Sequence, residues 1–402
     1  MAKMLSCSKK QDASISAYNR VAMNIMRSFQ TSNLITNTSA LRKLAGQLAS
    51  EPVLAVDTES NSLYAYQERV CLIQFSTPRD DFMIDPLALD NLAPLGELFA
   101  DPAIEKVFHA AEYDLISLKR DYDFTFDHLF DTMIAARILG WEEVGLGSIL
   151  KAEFGVQLNK RYQRANWGKR PLPPEMLAYA RLDTHYLIPL SMRLKAALKA
   201  ANRWELARED FARLRNVNGR DPEDQPEIPW RIRGSPDLNP QQAAVLKEIA
   251  LYREQVAKAI NQPVFKVLSE RALLAISGSC PADLRTLQKS SGLSELQIQR
   301  HGRALLQAVQ RGLNAEPLYP PRQTRPDDDY LARLDALRAW RKRAAQQMKV
   351  KSDVVLPRDL LYIIAARNPQ DMKTLSDLLT QVPWRLEQFG GQILQALNGS
   401  RS

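Results

Sequence analysis

The sequence predicts an α/β layered domain followed by two copies of an all-helical bundle, and three observations carry that prediction. Short apolar runs alternate with helical patterns over roughly 35–215, two breaks rich in proline and charge interrupt the chain, and the segments after those breaks repeat each other at one constant offset. At 402 residues the chain is also too long for one ordinary domain, so two or three are expected.

The elements follow in order. The first 30 residues lack a continuous apolar run and carry Lys3, Lys9, Lys10, Arg20 and Arg27 against Asp12 alone. They do not read as a secretory signal, and their basic bias has only a transit-peptide flavour. Residues 1–32 are therefore expected to form a flexible extension, or those before Met26 to lie upstream of a true start there. "SALRKLAGQLA" (39–49) has helical spacing behind a Ser/Thr cap. "VLAVD" (53–57), "VCLIQFS" (70–76), "FMID" (82–85) and "KVFH" (106–109) read as strands, with helical patterns at 91–100, 111–120, 127–139 and 174–200. These place one domain at 33–217. "NGRDPEDQPEIPWRIRGSPDLNP" and "NAEPLYPPRQTRPDDD" read as linkers at 218–239 and 314–329.

Adding 88 to a residue number pairs Arg253 with Arg341, Val267-Leu268 with Val355-Leu356, Asp283 with Asp371 and Gly302 with Gly390. The offset runs without a gap, which marks a duplicated helical module at 240–313 and 330–397. Neither copy holds a cluster of carboxylates like the one near residue 57, so binding or spacing is expected of them before chemistry.

Composition narrows the classes. Hydrophobic residues make up 45% and charged residues 25%, the profile of a soluble globular protein. A formal charge of +8 and a pI near 9.3 suggest an anionic partner, nucleic acid before membrane. Cys7, Cys71 and Cys280 form no CxxC pair, which excludes a disulfide framework or zinc knuckle and fits a reducing cytosol. His109, His128, His185 and His301 are too scattered for a histidine-rich metal site. No apolar run reaches the length of a membrane span. "GLGSILK" (145–151) is not a phosphate-binding GxxxxGK[ST] loop, so the chain should not unwind nucleic acid by itself.

The candidate chemistry begins at "VLAVDTES" (53–60), where an apolar strand runs into Asp57 and Glu59. Side chains two apart on a strand share a face, so two carboxylates project together and repel unless a cation sits between them. A hard divalent ion with oxygen ligands resolves the repulsion. In "VFHAAEYDLISLKR" (107–120) Asp114 falls in the first turn of a helix, where by itself it reads as an acid favoured by the helix dipole. In "LAYARLDTHYL" (177–187) Tyr179 and Asp183 stand four apart on one helical face, by themselves a solvated pair. "LNKRYQRANWGKRP" (158–171) gathers Lys160, Arg161, Arg164, Lys169 and Arg170 beside Tyr162 and Trp167. Cations there could neutralise phosphates while aromatics stack on unpaired bases; a solvated basic loop with a core-packed Trp is the plain alternative. "RAWRKRAAQQMKVK" (338–351) adds a second basic face.

Taken together, D-x-E, a later Asp, and Y-x-x-x-D resemble the DEDD exonuclease superfamily, in its tyrosine subclass. The histidine subclass places a His where this chain has Ala178, and His185 follows the last Asp, which leaves it a structural part. "NWGKRPLPPEMLAYARLDTHYL" (166–187) resembles the third motif of the ribonuclease D family, and the duplicated modules resemble its HRDC domains. The resemblance spans about 33 to 397 and implies an α/β ribonuclease H-like catalytic domain followed by two all-α helical-bundle HRDC domains.

It further implies a 3′-5′ exoribonuclease that releases nucleoside 5′-monophosphates with two divalent metal ions, Mg²⁺ or Mn²⁺. By carry-over Asp57, Glu59 and Asp183 hold the first ion, Asp57 bridges to the second, and Asp114 supports that one through water. Tyr179, with an ordinary pKa near 10, would orient the attacking water by hydrogen bonding. Lys160, Arg161, Arg164, Trp167 and Arg170 are the expected substrate contacts. The expected partner is RNA with a free 3′-hydroxyl, such as a tRNA precursor, handled by a cytoplasmic monomer. A DNA 3′-5′ exonuclease in repair and a catalytically silent nucleic-acid scaffold are the competing readings.

Overall fold

The computed structural model describes residues 34–158, 160–219, 229–321 and 327–399. The expected extension 1–32, with Cys7 and Met26, lies outside the described residues, as does part of each expected linker. The described residues divide into two compact units, those of 34–59, 70–218 and 327–399 in one, and those of 60–69, 219 and 229–321 in the other.

The first unit is built on a six-stranded sheet of β1 (Leu34–Ile35), β2 (Val53–Ser60), β3 (Val70–Ser76), β4 (Asp81–Ile84), β5 (Glu105–Phe108) and β6 (Leu129–Asp131), in the order β1-β4-β3-β2-β5-β6. β3 and β4 are antiparallel, whereas β5 runs parallel to both β2 and β6. All seven residues of β3 are buried, because helices cover both faces of the sheet. The helices are α1 (Thr38–Leu48), α2 (Ala93–Ala100), α3 (Glu112–Tyr122), α4 (Thr132–Leu139), α5 (Leu146–Phe154), α6 (Pro174–His185), α7 (Leu187–Ala200) and α8 (Trp204–Leu214).

β2 shows how the sheet sorts its side chains. Leu54 and Val56 enter the layer that holds Leu41, Phe75 and Phe99, while Ala55 enters the opposite layer with Val107, Phe130 and Leu194. The same alternation carries Asp57 and Glu59 onto the Ala55 side. Burial stops at Val56, and the strand is only half-buried from Asp57 to its end.

Three sequence expectations change. The helical pattern at 127–139 begins as a strand, because Leu129, Phe130 and Asp131 pair in parallel with β5 in the register Lys106↔Leu129, Val107↔Phe130, Phe108↔Asp131. Asp131 then caps α4, accepting from the backbone N–H of Met133 at 2.8 Å and of Ile134 at 2.9 Å. The pattern at 174–200 divides into α6 and α7 at Tyr186, since Pro189 has no N–H to give the carbonyl four residues back. The cap of α1 is Asn37, whose side chain accepts from Ala40, and not a Ser or Thr.

The second unit contains α9 (Pro240–Ala259), α10 (Val264–Val267), α11 (Glu270–Ser279), α12 (Leu284–Ser291) and α13 (Glu295–Asn314) around a core of Leu246, Ile249, Leu273, Ile276, Leu287 and Leu305. Residues 60–69 belong to it: the Tyr66 hydroxyl donates to Glu254 at 3.0 Å, and the Tyr66 N–H donates to Asn261 at 3.1 Å.

The first unit resumes with α14 (Asp328–Met348), α15 (Ser352–Val355), α16 (Arg358–Arg367), α17 (Met372–Leu378) and α18 (Pro383–Gly399). This bundle is fastened to the sheet domain by Arg385, whose side chain is 0% exposed. Its guanidinium donates to Glu209 at 2.9 Å, to Asp210 at 3.0 Å and to the carbonyl oxygens of Val354 and Val355. Glu209 also accepts from the backbone N–H of Trp384 and Arg385. Gly140 sits in the left-handed region at φ 83°, and a Cβ there would lie 2.4 Å from the Lys349 carbonyl oxygen, so no larger residue fits this seam.

Candidate active site

Four elements converge on one cavity. β2 contributes Asp57 and Glu59, α6 contributes Tyr179 and Asp183, β5 leads into His109, and α5 contributes Gly145, Gly147 and Ser148 from its start and Lys151 from its last turn. Lys160 and Gln163 line it from the loop before α6. Asp57, Glu59 and Asp183 each offer an oxygen, and the three lie within 4.8 Å of one another.

Three acids this close in a half-dry cleft resist ionisation. Asp57 is pushed well above the usual carboxylate range by burial, then by Asp114, Asp183 and Glu59. Burial raises Glu59 likewise, with Asp183 and Asp114 adding to it. Asp183 rises to about 7 through burial, against the hydrogen bond it accepts from the Tyr179 hydroxyl. Tyr179 is itself raised above its ordinary value, first by burial and then by Asp183, Glu59 and Asp57. These surroundings favour the protonated hydroxyl.

Asp114 stands apart from the trio. It is buried in the first turn of α3 and accepts a hydrogen bond from the Thr58 hydroxyl, which leaves β2 on the face opposite Asp57 and Glu59. Burial raises it to about 7, with the Thr58 bond pulling the other way. It is close enough to raise the pKa of Asp57 and Glu59, but it does not share their ligand cluster.

α6 is held against the sheet by polar bonds as well as packing. Thr184 is fully buried 2.7 Å from Ser76 Oγ, and His185 Nδ1 lies 2.9 Å from Asp81 Oδ2. His185 is a structural part of this attachment.

The expected substrate contacts divide. Lys160 lines the cavity, and Arg161 and Arg164 are exposed nearby, with Arg161 5.6 Å from the Tyr162 ring. Trp167 and Arg170 are corrected to supporting residues. Trp167 is 1% exposed and packs with Cys71, Leu172 and Met176, its ring 6.3 Å from that of Tyr179. Arg170 grips Asp85 with two nitrogens at 2.6 Å and also donates to the carbonyl oxygens of Cys71 and Trp167. A guanidinium so engaged has few donors left for a phosphate, and a buried indole cannot stack on a base. Trp167 builds the wall beside Tyr179, and Arg170 ties the segment before α6 to Asp85.

Sequence reading missed His109, Ser148, Lys151 and Gln163. "GLGSILK" is no nucleotide loop, yet it begins a helix at the cavity. The available signal was its Gly-x-Gly-Ser start, which suits an anion approaching a helix N-terminus.

A mixed sheet that presents Asp57 and Glu59 against a Tyr–Asp helix defines a 3′-5′ exonuclease domain. The family model so described matches residues 33–199, and HRDC domain models match residues 242–309 and 331–397. The ribonuclease D of Acidiphilium cryptum (strain JF-5) is 31% identical over 387 residues, covering 92% of this chain and 94% of that one. The crystal structure of Escherichia coli RNase D, an exoribonuclease involved in structured RNA processing, superposes with a TM-score of 0.67 at 25% identity over 92% of this chain and 99% of that one. The catalytic core of RRP6 from Trypanosoma brucei superposes with a TM-score of 0.63 at 29% identity, over 70% and 79% of the two chains. The chain belongs to the ribonuclease D family, and its activity is that of a 3′-5′ exoribonuclease.

Proposed function

We propose that the chain trims the 3′ ends of structured RNAs such as tRNA precursors, releasing nucleoside 5′-monophosphates with two divalent cations, Mg²⁺ or Mn²⁺. The observation that carries this is the convergence of Asp57, Glu59 and Asp183, within 4.8 Å, beside Tyr179. An all-oxygen donor set suits hard cations, and three acids gathered this closely are relieved by one. When bound, such ions supply a nucleophilic water and stabilise the attacking and leaving oxygens of an in-line displacement at phosphorus.

In this reading Asp57, Glu59 and Asp183 would hold a divalent ion, and Asp57 could also serve a second one. Asp114, kept in place by Thr58, would support that second ion from behind the cluster. Tyr179 holds its proton and orients the attacking water by hydrogen bonding. Trp167 keeps the Tyr179 ring in register. Lys151, Lys160 and the first turn of α5 offer positive charge to the phosphates of the terminal nucleotides. The protein is read as a monomer acting in the cytoplasm; among the described residues no helix is long and apolar enough to cross a membrane.

Matched RNA and DNA strands labelled at the 5′ end, incubated with Mn²⁺ and then with EDTA, test the reading. A ladder of RNA shortened one nucleotide at a time, abolished by EDTA, is expected. Shortening of DNA alone, or RNA shortening indifferent to EDTA, would overturn it. A tRNA precursor with a 3′ trailer should be cut back to its structured stem, and a trailer left intact would remove the processing role.

A further inference from the structure

His109 stands two residues beyond Val107 on β5, and Asp57 stands two residues beyond Ala55 on β2; Ala55 and Val107 are direct partners in the parallel ladder. The pleat therefore brings the imidazole to the same cavity wall as the carboxylates, and His109 lines that cavity with Asp57, Glu59, Tyr179 and Asp183.

The tautomer of the ring follows from its neighbours. His109 Nδ1 lies 2.9 Å from Thr132 Oγ1, and the single hydroxyl proton of Thr132 goes to the Phe108 carbonyl oxygen at 3.0 Å. Thr132 can then only accept from His109, which places the ring proton on Nδ1 and leaves Nε2 a lone pair. Among the described residues no hydrogen bond reaches Nε2. The arrangement is braced: Asp131 accepts from the Ala111 N–H at 2.7 Å and caps α4, tying the turn after His109 to the helix that carries Thr132. Burial also lowers the imidazole pKa, which favours the neutral ring.

A neutral acceptor is an unusual need here. Phosphates bring only acceptors, and the carboxylates already supply them in excess. The donors that every 3′-terminal ribonucleotide brings whatever its base are its ribose hydroxyls. We propose that His109 Nε2 accepts a hydrogen bond from the 2′-hydroxyl of the terminal ribose, making His109 a specificity residue that favours RNA ends over DNA ends. This rests on the exoribonuclease reading of the same cavity.

The test compares RNAs identical except for the last sugar, which is ribose, 2′-deoxyribose, 2′-fluoro-2′-deoxyribose or 3′-deoxyribose, by kcat/KM for removal of that nucleotide. The fluoro sugar keeps the ribose pucker but cannot donate. The wild-type protein is expected to remove the ribose end about tenfold faster than both the deoxy and the fluoro ends. His109→Leu should bring those ratios near one, and His109→Gln, which restores an acceptor, should recover part of them. Any effect of the 3′-deoxy sugar should persist in His109→Leu. A fluoro end removed as fast as the ribose end, or a ribose preference that survives in His109→Leu, would overturn the proposal. If His109→Leu does not fold, the fluoro comparison on the wild type decides alone. Failure of the underlying reading looks different, since then no substrate is shortened at all.

Discussion

Two regions of the first unit withdraw several charges from water, and they resolve the cost in opposite ways. At the seam between the sheet domain and the last bundle, Glu209 and Asp210 surround Arg385, whose guanidinium bonds both acids and two carbonyl oxygens. In the cavity, Asp57, Glu59 and Asp183 crowd together with Asp114 behind them, and the charged groups that shift Asp57 and Glu59 are other acids. Where the chain supplies its own counter-ion, buried charge is a fastening. Where the neighbouring charges are other acids, burial first and then mutual repulsion push Asp57 and Glu59 well above the usual carboxylate range, and burial lifts Asp183, a set that a divalent cation would relieve.

The comparison can be broken first at the cavity. Asp183→Asn should lower exonuclease turnover at least about a hundredfold in Mg²⁺ or Mn²⁺ while the protein remains folded. A purified variant that keeps more than a few per cent of wild-type rate would show that the acid is not needed for the ions. Tyr179→Phe should also be severe on rate yet mild on metal affinity, and a loss of affinity as large as in Asp57→Ala would end the water-orienting role.

At the seam the expected effect is on stability. Arg385→Ala leaves Glu209 and Asp210 without their partner and should cost about 3–5 kcal/mol in a denaturant titration. A cost below about 1 kcal/mol would mean that this cluster is no fastening.

A smaller effect separates the two regions by pH. Asp114 and Asp183 titrate at about 7 in the folded, metal-free protein, against an ordinary value near 3.8. A raised acid pKa contributes stability that is fully present below the unfolded value and is lost as pH rises through the folded one. The metal-free wild type should therefore lose melting temperature between pH 5 and pH 8 relative to metal-free Asp183→Asn, and Mg²⁺ should restore it at pH 8. A gap between the two proteins that is constant with pH would contradict the raised value of Asp183. Smallest of all should be Asp283→Ala and Asp371→Ala. These exposed acids cap α12 and α17 from corresponding places in the two repeats, each accepting from a Thr N–H at 2.8 Å. Their effects on melting should match each other and fall below that of Arg385→Ala.

Those caps also show what was legible beforehand. The offset of 88 between the repeats proved to be a statement about internal parts: Arg253 and Arg341 reach the carbonyl oxygens of Leu268 and Leu356, and Gly302 and Gly390 each leave room for an apolar side chain against their helix. It carried no news of Arg385, whose counterpart Gln297 closes a capping box within its own helix. The seam depends on Glu209 and Gly140, distant in sequence, and no local pattern links them to α18. In the cavity the D-x-E and Y-x-x-x-D spacings exposed the acids, because strand and helix periods put them on shared faces. Trp167 and Arg170 were misread for the opposite reason. A basic, aromatic stretch looks like a nucleic-acid contact until the partners of each side chain are known, and theirs are Tyr179 and Asp85.

The order of residues alone determined the alternating strands and helices, the duplication, and which carboxylates share a face, since all of these obey short periods along the chain. Only the folded structure decided that three of those acids meet while a fourth is held aside by Thr58, that the imidazole of His109 carries its proton on the nitrogen facing Thr132, and that the last bundle is riveted through one arginine. Each of these depends on the distance between atoms many residues apart, a quantity set by sheet register and helix packing and absent from any local pattern.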